Sequence, residues 1–336
     1  MFFIDKSKKM KIYCYTGSKS SSTYYDAYFL AKYSTKYKYI ISSKYAPPVN
    51  RKAVILFTDP GTYCQYHDGF KKYPNKFVCW WHGNASTPNR GVQKRIKIAK
   101  KWLPKCKGII VSCDYGVNCV RSLGVPDHLI NKIHLGVDMS LFKVLPNREE
   151  FRKNFKVPEN SFCIGSFQRD TDKLGGPKTI KGPDIFIDVV SKLKKSIPNM
   201  FVLLSGRRRD YMKKHLKKLD IKYKHVYLDD YSDIVAMYNC LDCYLLTSRE
   251  EGGPKALMES IACGIPIVST KCGMAPDVIQ NGKNGFMCCL KTNDLADSVL
   301  KVKNGEISGD ITSTAKPFDY RKIVLEYDKL MGQCNG

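Results

Sequence analysis

Short runs of β-branched and aromatic residues alternate along this chain with longer segments whose apolar residues recur every three or four positions. Alternation of that kind points to parallel sheets covered by helices, since parallel neighbours need a long crossover and are buried on both faces. Strands are expected at 11–15, 53–57, 76–80, 108–112, 162–167, 201–205, 243–247 and 266–269. Helices are expected at 23–34, 92–103, 116–123, 184–195, 212–219, 234–238 and 255–263. The stretch KVLPNREEFRKNFKVPEN at 143–160 interrupts this rhythm with Pro, Asn and charges before a fresh buried strand begins. The reading is therefore two α/β domains sharing a cleft, 1–150 and 151–316, which suits 336 residues. A closing helix at 318–331, with Ile323, Leu325, Tyr327 and Leu330 placed to pack an end of the fold, makes 317–336 a separate tail that packs back toward the first domain.

Charge is where the composition departs from an ordinary globular chain. Lys and Arg total 56 against 31 Asp and Glu, giving +25, a field that attracts polyanions such as nucleic acid or an anionic membrane. Only 12 of the 56 are Arg, so AT-rich coding would also yield much of the excess. Its distribution is more telling. Residues 1–150 hold 26 basic against 9 acidic side chains, +17, and the remainder holds 30 against 22, +8. Residues 81–110 carry eight basic residues and no acidic one, which uniform drift does not produce.

Fourteen cysteines would suggest disulfides in a short secreted chain. Here the first eleven residues are charged, with no signal-like apolar run, and no stretch of about 18 apolar residues occurs, so reduced thiols in a cytoplasm are expected. Cys240 and Cys243 form a lone CxxC in an apolar segment, and Cys288 and Cys289 read as strand filler. No metal site is expected.

The most informative stretch is TSREEGGPKALMESIACGIPIVSTKCGMAPDVIQNGKNG at 247–285. A buried strand ends in two carboxylates, passes a Gly-Gly-Pro turn and enters a helix whose first N–H groups suit a phosphate or a sugar hydroxyl. Glu251 lies at the strand's carboxyl end and Glu259 about two turns into the helix, so both can reach one ligand.

The E-x7-E spacing from Glu251 to Glu259, followed by GIPIV from Gly264 and then Cys272-Gly273, resembles the donor-binding core of family 4 glycosyltransferases, retaining enzymes of the two-domain GT-B fold. NGKNG at 281–285 falls where that family has a similar turn. The segment IHLGVD at 133–138, with Phe142 after it, resembles the family's interdomain passage, and IGSFQRD with IKGPD resembles the start of its second domain. The resemblance implies a nucleotide-diphosphate sugar as donor substrate, a UDP-sugar being the expected one, with no cofactor. It makes Glu251 the residue on the donor sugar and Glu259 the acceptor of ribose hydrogen bonds. The turn Gly253, Pro254, Lys255, Ala256 and Leu257 would meet sugar and phosphate through backbone N–H groups. Arg169 and Lys181 would bind the diphosphate, fixed cations stabilising the leaving group without a metal. The commoner pattern has Arg directly after the glycine, where this chain has Ser166.

In the first domain, Gly17 follows a strand and marks the loop that this fold brings near the diphosphate. Ser20, Ser21 and Ser22 can instead cap the following helix. His82 ends the strand FVCWW and, by the resemblance, stands beside the donor sugar as a second catalytic position. The same domain normally binds the acceptor. Helix 91–103 carries Val92, Ile96, Ala99 and Leu103 on one stripe and Lys94, Lys97, Lys100 and Lys101 elsewhere. Two acceptors fit a basic domain. One is DNA with hydroxylated bases, as with virus-encoded enzymes acting in a host cytoplasm, for which interleaved tyrosines at 33–39 would suit base stacking. The other is a lipid-linked or surface glycan at an anionic membrane, with peripheral contact. The reading leans to DNA. A noncatalytic nucleic-acid-binding protein on the same scaffold, or a phosphorylase or epimerase of similar shape, is less consistent with intact Glu251, Glu259 and Lys181.

Overall fold

The computed structural model describes residues 9–19, 21–42, 45–81, 90–172 and 174–334. Two units emerge from the packing: the chain up to Asp138 together with the segment from Phe318, and Met139–Pro317. Among the described residues each holds one six-stranded parallel sheet.

In the first unit the strands are β1 (Lys11–Tyr15), β2 (Lys38–Ser42), β3 (Val54–Phe57), β4 (Lys76–Cys79), β5 (Gly108–Val111) and β6 (Ile130–Lys132). They stand in the order β2-β1-β3-β4-β5-β6. Helices α1 (Ser22–Tyr33), α2 (Pro60–Tyr66), α3 (Arg90–Trp102) and α4 (Asp114–Ser122) connect them. Strands such as VILF are buried along their whole length, as a strand covered on both faces must be. Aromatic rings fill the core beside them, Tyr15, Phe57, Phe70 and Trp80 among them.

The second unit begins with α5 (Arg148–Asn154) and builds its sheet from β7 (Phe162–Ser166), β8 (Met200–Ser205), β9 (Lys222–Val226), β10 (Cys243–Leu246), β11 (Ile267–Thr270) and β12 (Gly285–Cys288). Their order is β12-β11-β10-β7-β8-β9. The intervening helices are α6 (Pro183–Ser196), α7 (Asp210–Lys218), α8 (Ile234–Asn239), α9 (Ala256–Ala262), α10 (Ala275–Val278) and α11 (Thr292–Lys303). Strand order reverses between β7 and β10. In open α/β sheets the carboxyl ends at such a reversal diverge and leave room for a ligand.

The closing helix α12 (Tyr320–Met331) belongs to the first unit. Its Tyr320 ring lies 4.8 Å from that of Phe29, and Asp328 accepts hydrogen bonds from Ser34 Oγ and Tyr39 Oη, both 2.8 Å. Ile323, Tyr327 and Leu330 are buried as expected, but Leu325 is 61% exposed. Two positions on from Ile323 is about 200° around a helix, so Leu325 points away. The segment read as a boundary also differs, because 139–150 packs as part of the second unit: Arg148 and Arg152 of α5 reach Asp242 at 2.5 and 3.6 Å.

The IHLGVD passage ends the first unit as a clamp. A Cβ on Gly136 would come within 2.8 Å of the Tyr320 ring, Val137 exchanges backbone hydrogen bonds with Phe318 and Tyr320, and buried Asp138 accepts from Lys32 Nζ at 2.7 Å and Tyr33 Oη at 2.6 Å. Tyr37 and Tyr39 are buried as well. Two of the three tyrosines at 33, 37 and 39 are therefore inside the fold and the half-buried Tyr33 is bonded to Asp138, contrary to the expectation that they face a nucleic acid. Cys240 and Cys243 are buried thiols, and Cys289 is an exposed one. Among the described residues no helix is long and apolar enough to cross a membrane.

Candidate active site

Close backbone approaches, which glycine alone permits, assemble the site at the β7/β10 reversal. Gly182 has φ +61°, and a Cβ there would come within 1.9 Å of the Thr247 carbonyl oxygen. Thr247 Oγ1 donates to the Gly182 carbonyl at 2.7 Å, so the turn Thr179–Lys181 is fastened to the end of β10. Gly273 is also at positive φ, and a Cβ there would come within 2.8 and 2.9 Å of the carbonyl oxygens of Gly252 and Glu251. Both glycines occupy positions where an L side chain would be strained and blocked.

Lys181 is thereby brought to Glu251. The Lys181 ammonium donates to Glu251 Oε1, and Ser248 Oγ donates to the same oxygen at 3.0 Å. Oε2 of this buried carboxylate has no partner among the described residues. Gln168 ties the two loops together, its Nε2 donating to the Lys181 carbonyl at 3.0 Å and its Oε1 accepting from Ser248 Oγ at 3.2 Å.

Glu259 is buried and accepts hydrogen bonds from Tyr231 Oη and, at 2.8 Å, Tyr238 Oη. It stands in the first turn of α9, not two turns in, because the helix starts at Ala256 and residues 251–255 form the turn before it. Phe142 supports both tyrosines, with ring centroids 5.7 Å from Tyr231 and 6.1 Å from Tyr238. In the turn itself the Leu257 N–H already donates to the Pro254 carbonyl at 3.0 Å.

Cations gather on the β7 side. Arg169 keeps much of its surface in water, but partial desolvation of its guanidinium, together with nearby Arg208 and Arg207, lowers its pKa. Lys178 is half-buried, and burial, Lys181, Arg169 and Arg208 depress its pKa to about 8 against the pull of Glu251. Beneath them lies a buried ion pair, Arg209 Nε to Asp170 Oδ2 at 2.7 Å, while Arg209 Nη2 donates to Ser166 Oγ at 3.1 Å. A guanidinium from the loop after β8 thus reaches Ser166 at the end of β7.

Gly17 stands in the first unit, just after β1. A Cβ there would meet Ser21 Oγ at 3.0 Å, and Ser21 caps α1 by accepting from the Tyr24 N–H at 3.3 Å. His82 and Ser20 lie outside the described residues, as does the Val92 side chain; Ile96, Ala99 and Leu103 are buried as expected. The NGKNG turn is structural: buried Asn284 bonds the Val278 carbonyl, Thr314 Oγ1 and the Gln280 N–H, and Gly285 presses on the Ile267 carbonyl.

The loops at the sheet reversal thus hold two buried carboxylates and a fixed lysine, with further cations close by. The chain belongs to the family described as glycosyl transferases group 1, whose pattern matches residues 148–316. Its fold is GT-B: it is similar to Anabaena HepE, crystallised in complex with UDP and glucose, with a TM-score of 0.77 over 96% of this chain and 100% of that one at 17% identity. Curated relatives include the N-acetyl-alpha-D-glucosaminyl L-malate synthase of Bacillus anthracis, 22% identical over 61% of this chain and 58% of that protein. Another is the N,N'-diacetylbacillosaminyl-diphospho-undecaprenol alpha-1,3-N-acetylgalactosaminyltransferase of Campylobacter jejuni, 26% identical over 63% and 56%. The chain thus spans about half the length, or less, of the curated relatives it matches.

Proposed function

We propose that this chain is a glycosyltransferase that moves a sugar, with retention of configuration, from a nucleotide-diphosphate sugar to a hydroxyl of an anionic acceptor. The observation that carries the reading is the pairing of Glu251 with Lys181 at the β7/β10 reversal, in the loop that leads into α9, whose first turn holds the buried carboxylate of Glu259. In this reading Glu251 Oε2 receives a hydroxyl of the donor sugar and Glu259 receives the ribose hydroxyls, displacing or sharing the Tyr231 phenol. Lys181 and Arg169 hold the diphosphate. As the glycosidic bond breaks, negative charge grows on the leaving phosphate, and cations fixed beforehand lower that barrier without reorganising and without a metal. The departing phosphate oxygen then takes the acceptor's proton on the face it leaves, which gives retention. UDP is the nucleotide favoured by the likeness to HepE, and the cytoplasm is the compartment in which the free thiols fit.

For the acceptor, a lipid-linked or surface glycan at an anionic membrane is the better supported reading. Lys71, Lys101 and Lys105 place their ammonium groups 4.6–5.6 Å from the centre of the half-buried Trp102 ring at the end of α3. A tryptophan among lysines beside an amphipathic helix is the composition of an interfacial anchor. DNA with hydroxylated bases is the second reading, favoured by the +17 spread over residues 1–150 but deprived of the tyrosines at 33–39. Incubation with nucleotide sugars and either hydroxymethylated DNA or lipid-linked glycan in anionic vesicles separates them. Label appearing in the lipid fraction supports the first reading, and a mass increase of the modified nucleoside after digestion transfers the assignment to DNA.

A further inference from the structure

We propose that Lys178, presented by its own small hairpin, is a third cation on the donor's diphosphate, beside Lys181 and Arg169; the inference rests on the glycosyltransferase reading above. Residues 171 and 177 pair as an antiparallel bridge, and the turn between them is fixed by Asp172, whose Oδ1 accepts the N–H groups of Leu174 at 2.8 Å and Gly176 at 3.0 Å. The Lys178 N–H then donates to the Asp170 carbonyl at 2.7 Å, which returns the chain to the end of β7. The hairpin therefore delivers one specific residue to the group formed by Arg169, Lys181, Arg208 and Glu251.

The charges in that group do not balance. Lys181 has Glu251, and nearby Arg249 is neutralised by Asp184 at 2.5 and 2.8 Å. Arg169, Lys178 and Arg208 have no carboxylate within ion-pair distance among the described residues. A lysine whose task was to pin the hairpin would have a carboxylate or carbonyl to bind; this one faces like charges and is half withdrawn from water. Such crowding is unfavourable in the empty protein and favourable once a diphosphate joins it. The depressed pKa of about 8 adds a consequence: near that pH part of the protein holds Lys178 neutral, and an arriving diphosphate draws a proton onto it.

Calorimetric titration of the whole protein with UDP and with inorganic pyrophosphate at pH 8, in Tris and in Hepes, tests this. Lys178→Gln is expected to weaken both ligands about tenfold, the size of one charge-assisted contact, while Lys178→Arg binds as well as wild type. Wild type is expected to take up a proton on binding, seen as a heat that differs between the buffers, and both variants are expected to lose that difference. Unchanged melting temperatures show that the hairpin survives. Wild-type affinity in Lys178→Gln, or proton uptake that persists in Lys178→Arg, overturns the inference. Failure of the underlying reading has another appearance: UDP, GDP and ADP then all fail to bind wild type, whereas failure of the inference alone leaves nucleotide binding intact, weakened by Lys181→Gln but not by Lys178→Gln.

Discussion

Gly182 shows how much of the site depends on single residues. With φ +61° and the Thr247 carbonyl oxygen 1.9 Å from where a Cβ would be, Gly182→Ala must move either the Lys181 turn or the end of β10. Strain at a positive φ alone costs about 1–3 kcal/mol, and the displaced contact adds to it, so a urea midpoint clearly below wild type is expected. Donor affinity should fall with it, since Lys181 rides on that turn. Lys178 makes a further prediction. Its folded pKa of about 8 lies below the value near 10.4 of an unfolded lysine, so the native state binds fewer protons between those values. Stability therefore gains from this group as pH rises from about 8 toward 10.4, and Lys178→Met should lose that part of the slope in denaturation curves across the range. The carboxylates were legible in the sequence because their spacing and the glycines between them are local. Lys178, Gln168, Ser248 and the tyrosines on Glu259 were not, since only the fold brings Gln168 to Ser248 across 80 positions and Tyr231 and Tyr238 to Glu259 across 28 and 21.

At the scale of elements, the eight strands expected from the sequence are the eight interior strands of the two sheets. The four that escaped, β2, β6, β9 and β12, are the four edges. An interior parallel strand is buried on both faces and reads as an apolar run, whereas an edge strand is only partly covered and its run is broken: β9 is KYKHV, β2 begins KY, β6 has three residues ending in Lys132, and β12 has two half-buried positions. Helix α5 was obscured in the same way, its REEFRKN sequence resembling a linker until Asp242 supplies partners for Arg148 and Arg152. The loops after β7 and β8 are joined by the buried Asp170–Arg209 pair. Removing one partner strands the other charge, so Arg209→Met should cost about 3–5 kcal/mol, and adding Asp170→Leu should recover much of it. Equilibrium denaturation of the two variants decides; equal losses would show that the pair is not coupled.

For the whole molecule the question is what the charge of +25 is for. The donor site uses a handful of cations in the second unit, and the larger excess lies in residues 1–150. An acceptor held by that excess should bind less tightly as salt rises, because each contact with an anionic surface is screened or releases counterions. Replacing Lys71, Lys101 and Lys105 together by Glu should remove sedimentation with anionic vesicles while leaving UDP binding unchanged. Affinity for vesicles that is indifferent to both salt and these substitutions would detach the basic unit from the acceptor. The central claim, that Glu251 and its neighbours work on a nucleotide-diphosphate sugar, is tested most directly by incubating wild type and Glu251→Ala with UDP-, GDP- and ADP-sugars and measuring the released nucleoside diphosphate by mass spectrometry. The expected result is turnover of one donor by wild type, reduced at least about a hundredfold in a variant that remains folded. Release from no donor, or equal release by the two proteins, would contradict it.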